Sequence, residues 1–282
     1  MELLNKLVPI STLAFVVSSM LALGLSLTIT QIVAPLRNGR LVSLSLLANF
    51  VLMPLAALAL ARLLRLDQPL GEGLLLLSVA AGAPFLPKFA GIAKANLAFS
   101  VGLMVLLMVA TIGYMPVILP LLLEGVSVDP MKIARPLVLF MLLPLAAGLA
   151  VKARYEAAAV RVKPVLDLVS NLSLVLLMVL IWVLNFDKIL QLFGSRGILA
   201  GILFTVFGYG IGRFLGGPGL DTKRVLALGT AQRNIAAALV VAGQNFDDPR
   251  VVVMVIVVAD VAFLILMPLA FILAKRSKAP RG

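Results

Sequence analysis

The sequence contains no histidine, no cysteine and one tryptophan, and only 13% of its residues are charged. Without histidine there is no imidazole zinc site and no Ser-His-Asp chemistry. Without cysteine there are no thiol nucleophiles or disulfides, and nothing from which to read a redox compartment. The low charge excludes more. A soluble domain carries about 45–50% apolar and about 25% charged residues, because its surface must face water. Here 62% of the 282 residues are hydrophobic and mean hydropathy is +1.15. A water-soluble globule is excluded, and an integral membrane protein is expected. A paired-aspartate protease, which needs neither histidine nor cysteine, would have to join Asp167 to Asp260 without a GxGD motif. No enzyme and no catalytic residue is expected.

A helix needs about 20 mostly apolar residues to cross the hydrocarbon layer. Nine segments meet that need: 12–36, 41–61, 71–93, 97–123, 133–151, 164–184, 197–216, 223–244 and 251–274. The first is too long for a signal-peptide core. No linker or hydrophilic domain interrupts the series, so 1–282 reads as a single transmembrane domain.

The formal net charge of +12 would point to nucleic acid in a soluble protein, but its placement points to topology. Lysine and arginine accumulate in cytoplasmic loops. The alternate loops beginning at Arg37 and ending with the tail at Lys275–Arg281 hold 14 of the 24 basic residues, beside only Glu156 and Asp221. The opposite loops and the N-terminus hold eight basic and eight of the twelve acidic residues. The expectation is a multi-pass protein of the cell (inner) membrane, N-terminus outside and C-terminus cytoplasmic, whose partners are the lipid bilayer and not nucleic acid. The basic tail adds attraction to anionic lipid. Lys88, Arg233, Asp167 and Asp260 fall inside spans.

Two spans carry interruptions. The third reads Ala81-Gly82-Ala83-Pro84-Phe85-Leu86-Pro87-Lys88, and two prolines three apart remove amide donors and break a helix near mid-membrane. The eighth reads Gly229-Thr230-Ala231-Gln232-Arg233-Asn234, too polar to face lipid. The two spans are five apart and so run in opposite directions. Pairing spans one to four (12–123) with six to nine (164–274), with 133–151 as connector, gives an inverted repeat. Interrupted helices at matching positions of inverted halves point to a transporter's binding site. Half-helix N-termini there attract anions and C-terminal carbonyls coordinate cations. The competing reading is a pair of kinks whose polar residues join spans.

Several short motifs carry a resemblance. Gly229-Thr-Ala-Gln-Arg-Asn234-Ile-Ala-Ala-Ala-Leu239 resembles the second crossover motif of the bile acid:sodium symporter (BASS) family. Asn49-Phe-Val-Leu-Met-Pro54 resembles its QFxxMP-like segment, and Ala93-Lys-Ala-Asn96-Leu-Ala-Phe-Ser100 its ARGNxALS stretch. The matches keep the family's order across nearly the whole chain, as in nine-span members without the additional first helix of ten-span ones. The resemblance implies an all-α fold with core and panel subdomains and two discontinuous helices crossing at their breaks. It also implies alternating-access transport of organic anions such as bile acids, steroid sulphates or small carboxylates, mostly with sodium.

The departures concern sodium. The family's Ser-Asn ligands fall on Leu86 and Pro87, its threonine on Met104 and its glutamate on Gly229, while its serine is kept as Ser100. Its glutamine before the asparagine falls on Arg233, and that of the QFxxMP segment on Asn49. Most oxygen ligands are gone, no metal site is expected, and sodium, a proton or no coupling ion all stay open. One reading makes Lys88 and Arg233 fixed cations that replace sodium and attract an anion, with Arg233 gripping a carboxylate or sulphate bidentately. The other pairs Arg233 or Lys88 with Asp260 in a structural ion pair.

The substrate-binding residues expected on these grounds are Asn234, Arg233, Gln232, Lys88, Pro87, Thr230 and Asn49. Those expected at ion coupling are Asp260, Ser100 and Gln232, with Asp260 a candidate proton carrier. Asp167 is expected to reach the interface, and Asn171, Ser173 and Asn185 to join helices. Ser26, Thr28, Thr30 and Gln31 are expected to line a cavity or a panel–core contact at the inner end of the first span. Pro54, Pro116, Pro120, Pro136, Pro144 and Pro268 are expected to kink helices, and the five glycines of 208–217 to allow close packing or a hinge. A secondary carrier is the leading function and a passive facilitator or channel-like anion pathway the alternative. Oligomeric state has no signal.

Overall fold

A computed structural model describes residues 2–123, 125–191 and 196–276, with side chains left out at 2–6, 178, 181–182, 185–191 and 276. The interhelical role expected of Asn185 and the tail cations Lys278 and Arg281 lie outside these described residues.

Helices account for nearly all of the described chain: α1 (Glu2–Ser26), α2 (Ile29–Val33), α3 (Gly39–Leu63), α4 (Gln68–Val79), α5 (Leu86–Ile92) and α6 (Leu97–Leu122) come first. Then follow α7 (Pro130–Arg154), α8 (Glu156–Gln191), α9 (Gly197–Leu215), α10 (Leu220–Ala231), α11 (Ile235–Asn245) and α12 (Pro249–Arg276). No strand occurs among the described residues. Seven described stretches are long and apolar enough to cross a membrane, with α10 and α11 counted as one. Neither α4 nor α5 reaches that length alone, because the chain leaves helical geometry between them.

The first span differs from the expectation of 12–36. Its helix ends at Ser26, and the polar residues after it start a new one. Thr28 N–H donates to Gln31 Oε1 at 2.9 Å and Gln31 N–H to Thr28 Oγ1 at 3.2 Å, a capping box that satisfies orphan amides of α2. Thr28, Thr30 and Gln31 are exposed, and Thr28 and Gln31 bond each other at the start of α2. Their polarity serves a helix start.

The chain forms two compact units. One contains residues 1–32 and 134–191; the other contains 33–133 and 192–282. In the first, α1 packs against α7 and α8. Gly24 and Gly148 face each other so closely that a methyl on Gly24 would stand 2.8 Å from Gly148 Cα. Lys152 Nζ donates to the Ser26 carbonyl at 2.6 Å, satisfying the end of α1. Asp167 pairs with Lys163 one turn earlier at 2.5 Å, with both side chains more than a third exposed.

The second unit carries both interruptions. Gly208 and Gly212 of α9 and Gly216 at its C-cap, one turn apart, lie against Ala231, Ala227 and Lys223 of α10. Methyls there would stand 2.9, 2.7 and 2.5 Å from those Cα atoms. These three glycines serve close packing, and they fix α10 up to its last residue. Lys223 and Arg224 lie within α10, where Arg224 is buried.

Prolines explain the irregular turns. Pro54 and Pro144 each stand two residues after a π-helical turn, Ala48–Leu52 and Val138–Leu142. A proline has no amide for the carbonyl one turn back, and the added residue of a π turn relieves its ring clash.

Candidate functional site

The interruption after α4 has a local cause. Gly82 holds φ +80°, where a side chain is strained, and a methyl there would lie 2.6 Å from Met108 Cα. Pro84 and Pro87 then remove two amides in succession. The carbonyls that a continuous helix would use are left without their donors. In α10 the last turn closes with Gln232 N–H on the Leu228 carbonyl at 3.0 Å. Gln232 turns to extended backbone, and Asn234 caps α11 by accepting from Ala237 N–H at 3.2 Å.

The two interruptions satisfy each other. Pro84 cannot bond the Ala80 carbonyl; Asn234 N–H does so instead at 2.8 Å. Asn234 Nδ2 donates to the Gly82 carbonyl at 3.3 Å. Thr111 of α6 accepts from Ala81 N–H and donates to the Ala81 carbonyl, both at 3.1 Å.

Arg233 completes the set. Its Nε donates to the Leu77 carbonyl at 3.2 Å and its Nη2 to the Ser78 carbonyl, two end-of-helix oxygens of α4. Nη2 also donates to the Asn49 carbonyl at 3.2 Å, and Nη1 to Asn49 Oδ1 at 2.7 Å and the Thr230 carbonyl at 3.5 Å. The Asn49 carbonyl is one that Pro54 leaves unused in the π turn. The next one, of Phe50, accepts from the Tyr114 hydroxyl. Asn49 Nδ2 donates to the Ser45 carbonyl and to Thr230 Oγ1, at 2.9 and 3.3 Å. Arg233 is 3% exposed, and all five of its N–H groups are engaged by neutral oxygens, two of them at the negative end of α4.

The structure thus brings together Asn49, Thr230, Arg233 and Asn234. No hydrogen bond joins Arg233 to Asp260, so the ion pair weighed between them is not formed. Asp260 is 8% exposed on α12 with Oδ2 unpartnered among the described residues, and Gln232 Oε1 is buried in the same condition. Asp260 stands one turn from Phe263, whose ring meets Phe89 of α5 at 5.5 Å. Pro87 is buried in the first turn of α5 and Lys88, beside it, is half-buried.

A sodium ligand set does not fit the residues present. Leu86, Leu103 and Met104 are buried, and a methyl on Gly229 would lie 2.9 Å from Leu86 Cδ2 and 3.5 Å from Leu103 Cδ2. Leucine fills that space. Ser100 is the one hydroxyl kept, and it donates to the Leu97 carbonyl at 2.6 Å. The oxygens around Arg233 already receive its N–H groups. Among the described residues no cluster of acidic side chains offers a metal site.

Thr111 and Tyr114 were not legible in the sequence as site residues. Their signal, a hydroxyl every three or four residues on one face of an apolar span, is weak and common.

Comparison with known proteins gives the family. The Sodium Bile acid symporter family matches over residues 13–192. The probable sodium/metabolite cotransporter BASS2, chloroplastic, of Oryza sativa subsp. japonica is 26% identical over 238 residues, covering 83% of this chain and 57% of the relative. The probable sodium/metabolite cotransporter BASS1, chloroplastic, of Arabidopsis thaliana is 24% identical over 250 residues, covering 87% and 62%. The chain therefore spans about three-fifths of the length of these relatives. With a family match over most of its length and apolar helices throughout, this multi-pass membrane protein belongs to the sodium/bile acid symporter family of transporters.

Proposed function

We propose that the protein is a secondary carrier that moves a small organic anion (bile-acid-like, steroid sulphate or small carboxylate) across a cell membrane by alternating access. In this reading 12–123 and 164–274 are inverted halves joined by 133–151, giving nine spans with the N-terminus outside and the C-terminus cytoplasmic. The observation that carries it is the hydrogen bond from Asn234 N–H to the Ala80 carbonyl, which joins the two interruptions across 154 positions of chain. Each interruption supplies what the other lacks.

An anion is held beside this junction by the first-turn amides of α11, with Gln232 and the Lys88 ammonium as the polar contacts. Pro87, Thr230, Asn234 and Asn49 shape the junction. Arg233 contributes positive potential from within rather than a direct grip, since its donors are engaged. The shortage of oxygen ligands favours a carrier that does not use sodium. It equally favours the second reading, a passive facilitator of the same architecture.

Thermal unfolding of the purified protein against a bile acid, a steroid sulphate and a 2-oxo acid tests the reading. A ligand that binds the folded state alone at 100 times its Kd adds about 2.7 kcal/mol of stability. One class is expected to raise the midpoint with concentration. If no anion shifts it more than its uncharged counterpart, the carrier reading fails.

A further inference from the structure

We propose that Arg233 is a resident cation: its guanidinium stands permanently where an oxygen cage would otherwise need a metal ion, so the fold closes around the junction without sodium. The cage consists of Asn49 Oδ1 and the carbonyls of Asn49, Leu77, Ser78 and Thr230. These oxygens come from three separate helices, α3, α4 and α10. None carries a formal charge, and together with the end of α4 they present negative potential in the bilayer interior. Such a set needs a cation to converge at all.

Three observations make the guanidinium the intended occupant. It is 3% exposed, so it does not face a path that cargo could use. No carboxylate among the described residues pairs with it, so its charge is balanced by these dipoles. The neighbouring positions that the family resemblance assigns to sodium hold Leu86 and Gly229 in direct packing, which closes the other route to an ion. The covalent cation costs no binding step and cannot leave with the cargo. Its consequence for transport, cargo movement indifferent to sodium, rests on the carrier reading. The cage stands on the geometry alone.

The test is thermal unfolding in sodium chloride and in choline chloride at equal ionic strength. The wild-type midpoint is expected to agree within about 1 °C between the two salts. Arg233→Gln is expected to unfold on the order of 10 °C lower in choline, because five acceptors lose their donor. It should recover at least half of that loss in sodium or in millimolar guanidinium. Arg233→Lys, which keeps the charge, is expected to fall between them with no sodium response, and it decides the matter beside the wild type if the glutamine variant does not fold. A sodium-specific rise in the wild type or in Arg233→Lys overturns the proposal. So does an Arg233→Gln protein as stable as the wild type in choline, or one that neither cation restores. No arm contains an organic anion, so failure here leaves the carrier reading untouched, and failure to bind anions leaves this result standing.

Discussion

Arg233 meets Asn49 twice, with Nη1 2.7 Å from Asn49 Oδ1 and Nη2 3.2 Å from the carbonyl of the same residue. One asparagine thus binds a buried guanidinium through its side chain and its backbone. The backbone contact exists because the π turn and Pro54 leave that carbonyl without an amide.

Asn49→Leu is therefore expected to destabilise the protein by about 2–4 kcal/mol, since it leaves a buried charge one acceptor short. Asn49→Gln should recover part of the loss. Thermal midpoints of the two variants check this, and a leucine variant as stable as the wild type would contradict it.

Glycine substitutions should separate two kinds of tightness. Gly82→Ala forces a methyl against Met108 backbone at positive φ, whereas Gly229→Ala presses on the flexible tip of Leu86. The first is expected to cost more than about 2 kcal/mol and the second roughly 1 kcal/mol. Leu86→Ala should relieve the second and not the first. A double-mutant cycle with no coupling between Gly229 and Leu86 would refute that contact.

Asn234 both caps α11 and donates to the Gly82 carbonyl. Asn234→Asp keeps the cap and removes the donor; Asn234→Ala removes both. Alanine should lower stability by about 1–2 kcal/mol through the cap alone. The aspartate variant should lose the link to Gly82, which hydrogen exchange at 80–85 would register as faster exchange. Equal exchange in aspartate variant and wild type would contradict the role.

At the entrance to α12, hydrogen bonds from the Arg250 side chain and backbone hold the exposed Asp248 carboxyl below its ordinary range. A depressed carboxyl pKa gives stability that is present at neutral pH and lost as pH falls through the folded-state value. Asp248→Asn is expected to lower the midpoint slightly at neutral pH and not in strong acid. A gap that stays constant across that range would dismiss the ion pair.

Much of this was legible in the sequence because hydropathy reports lipid and prolines report missing amides. The interruptions at Pro84–Pro87 and Gln232–Asn234 could be placed from residue types alone, as could the polar identity of Asn49 and Thr230. What could not be read is which carbonyl each freed donor finds. Arg233 looked equally suited to a substrate carboxylate or to Asp260, and its oxygen partners on α3 and α4 lie 155 to 184 positions away. Thr111 was invisible for the same reason. The end of the first span was misplaced because Thr28–Gln31 continues an apolar run, and window hydropathy does not see a capping box.

The proposed role of the joined interruptions is to serve a carrier of organic anions. Counterflow in proteoliposomes tests it most directly, with a labelled anion outside, the same anion unlabelled inside, and choline replacing sodium throughout. Saturable entry that the internal anion accelerates, equal in choline and in sodium, is the expected result. Entry of no anion above empty liposomes, or saturable entry only when sodium is present, would contradict the account.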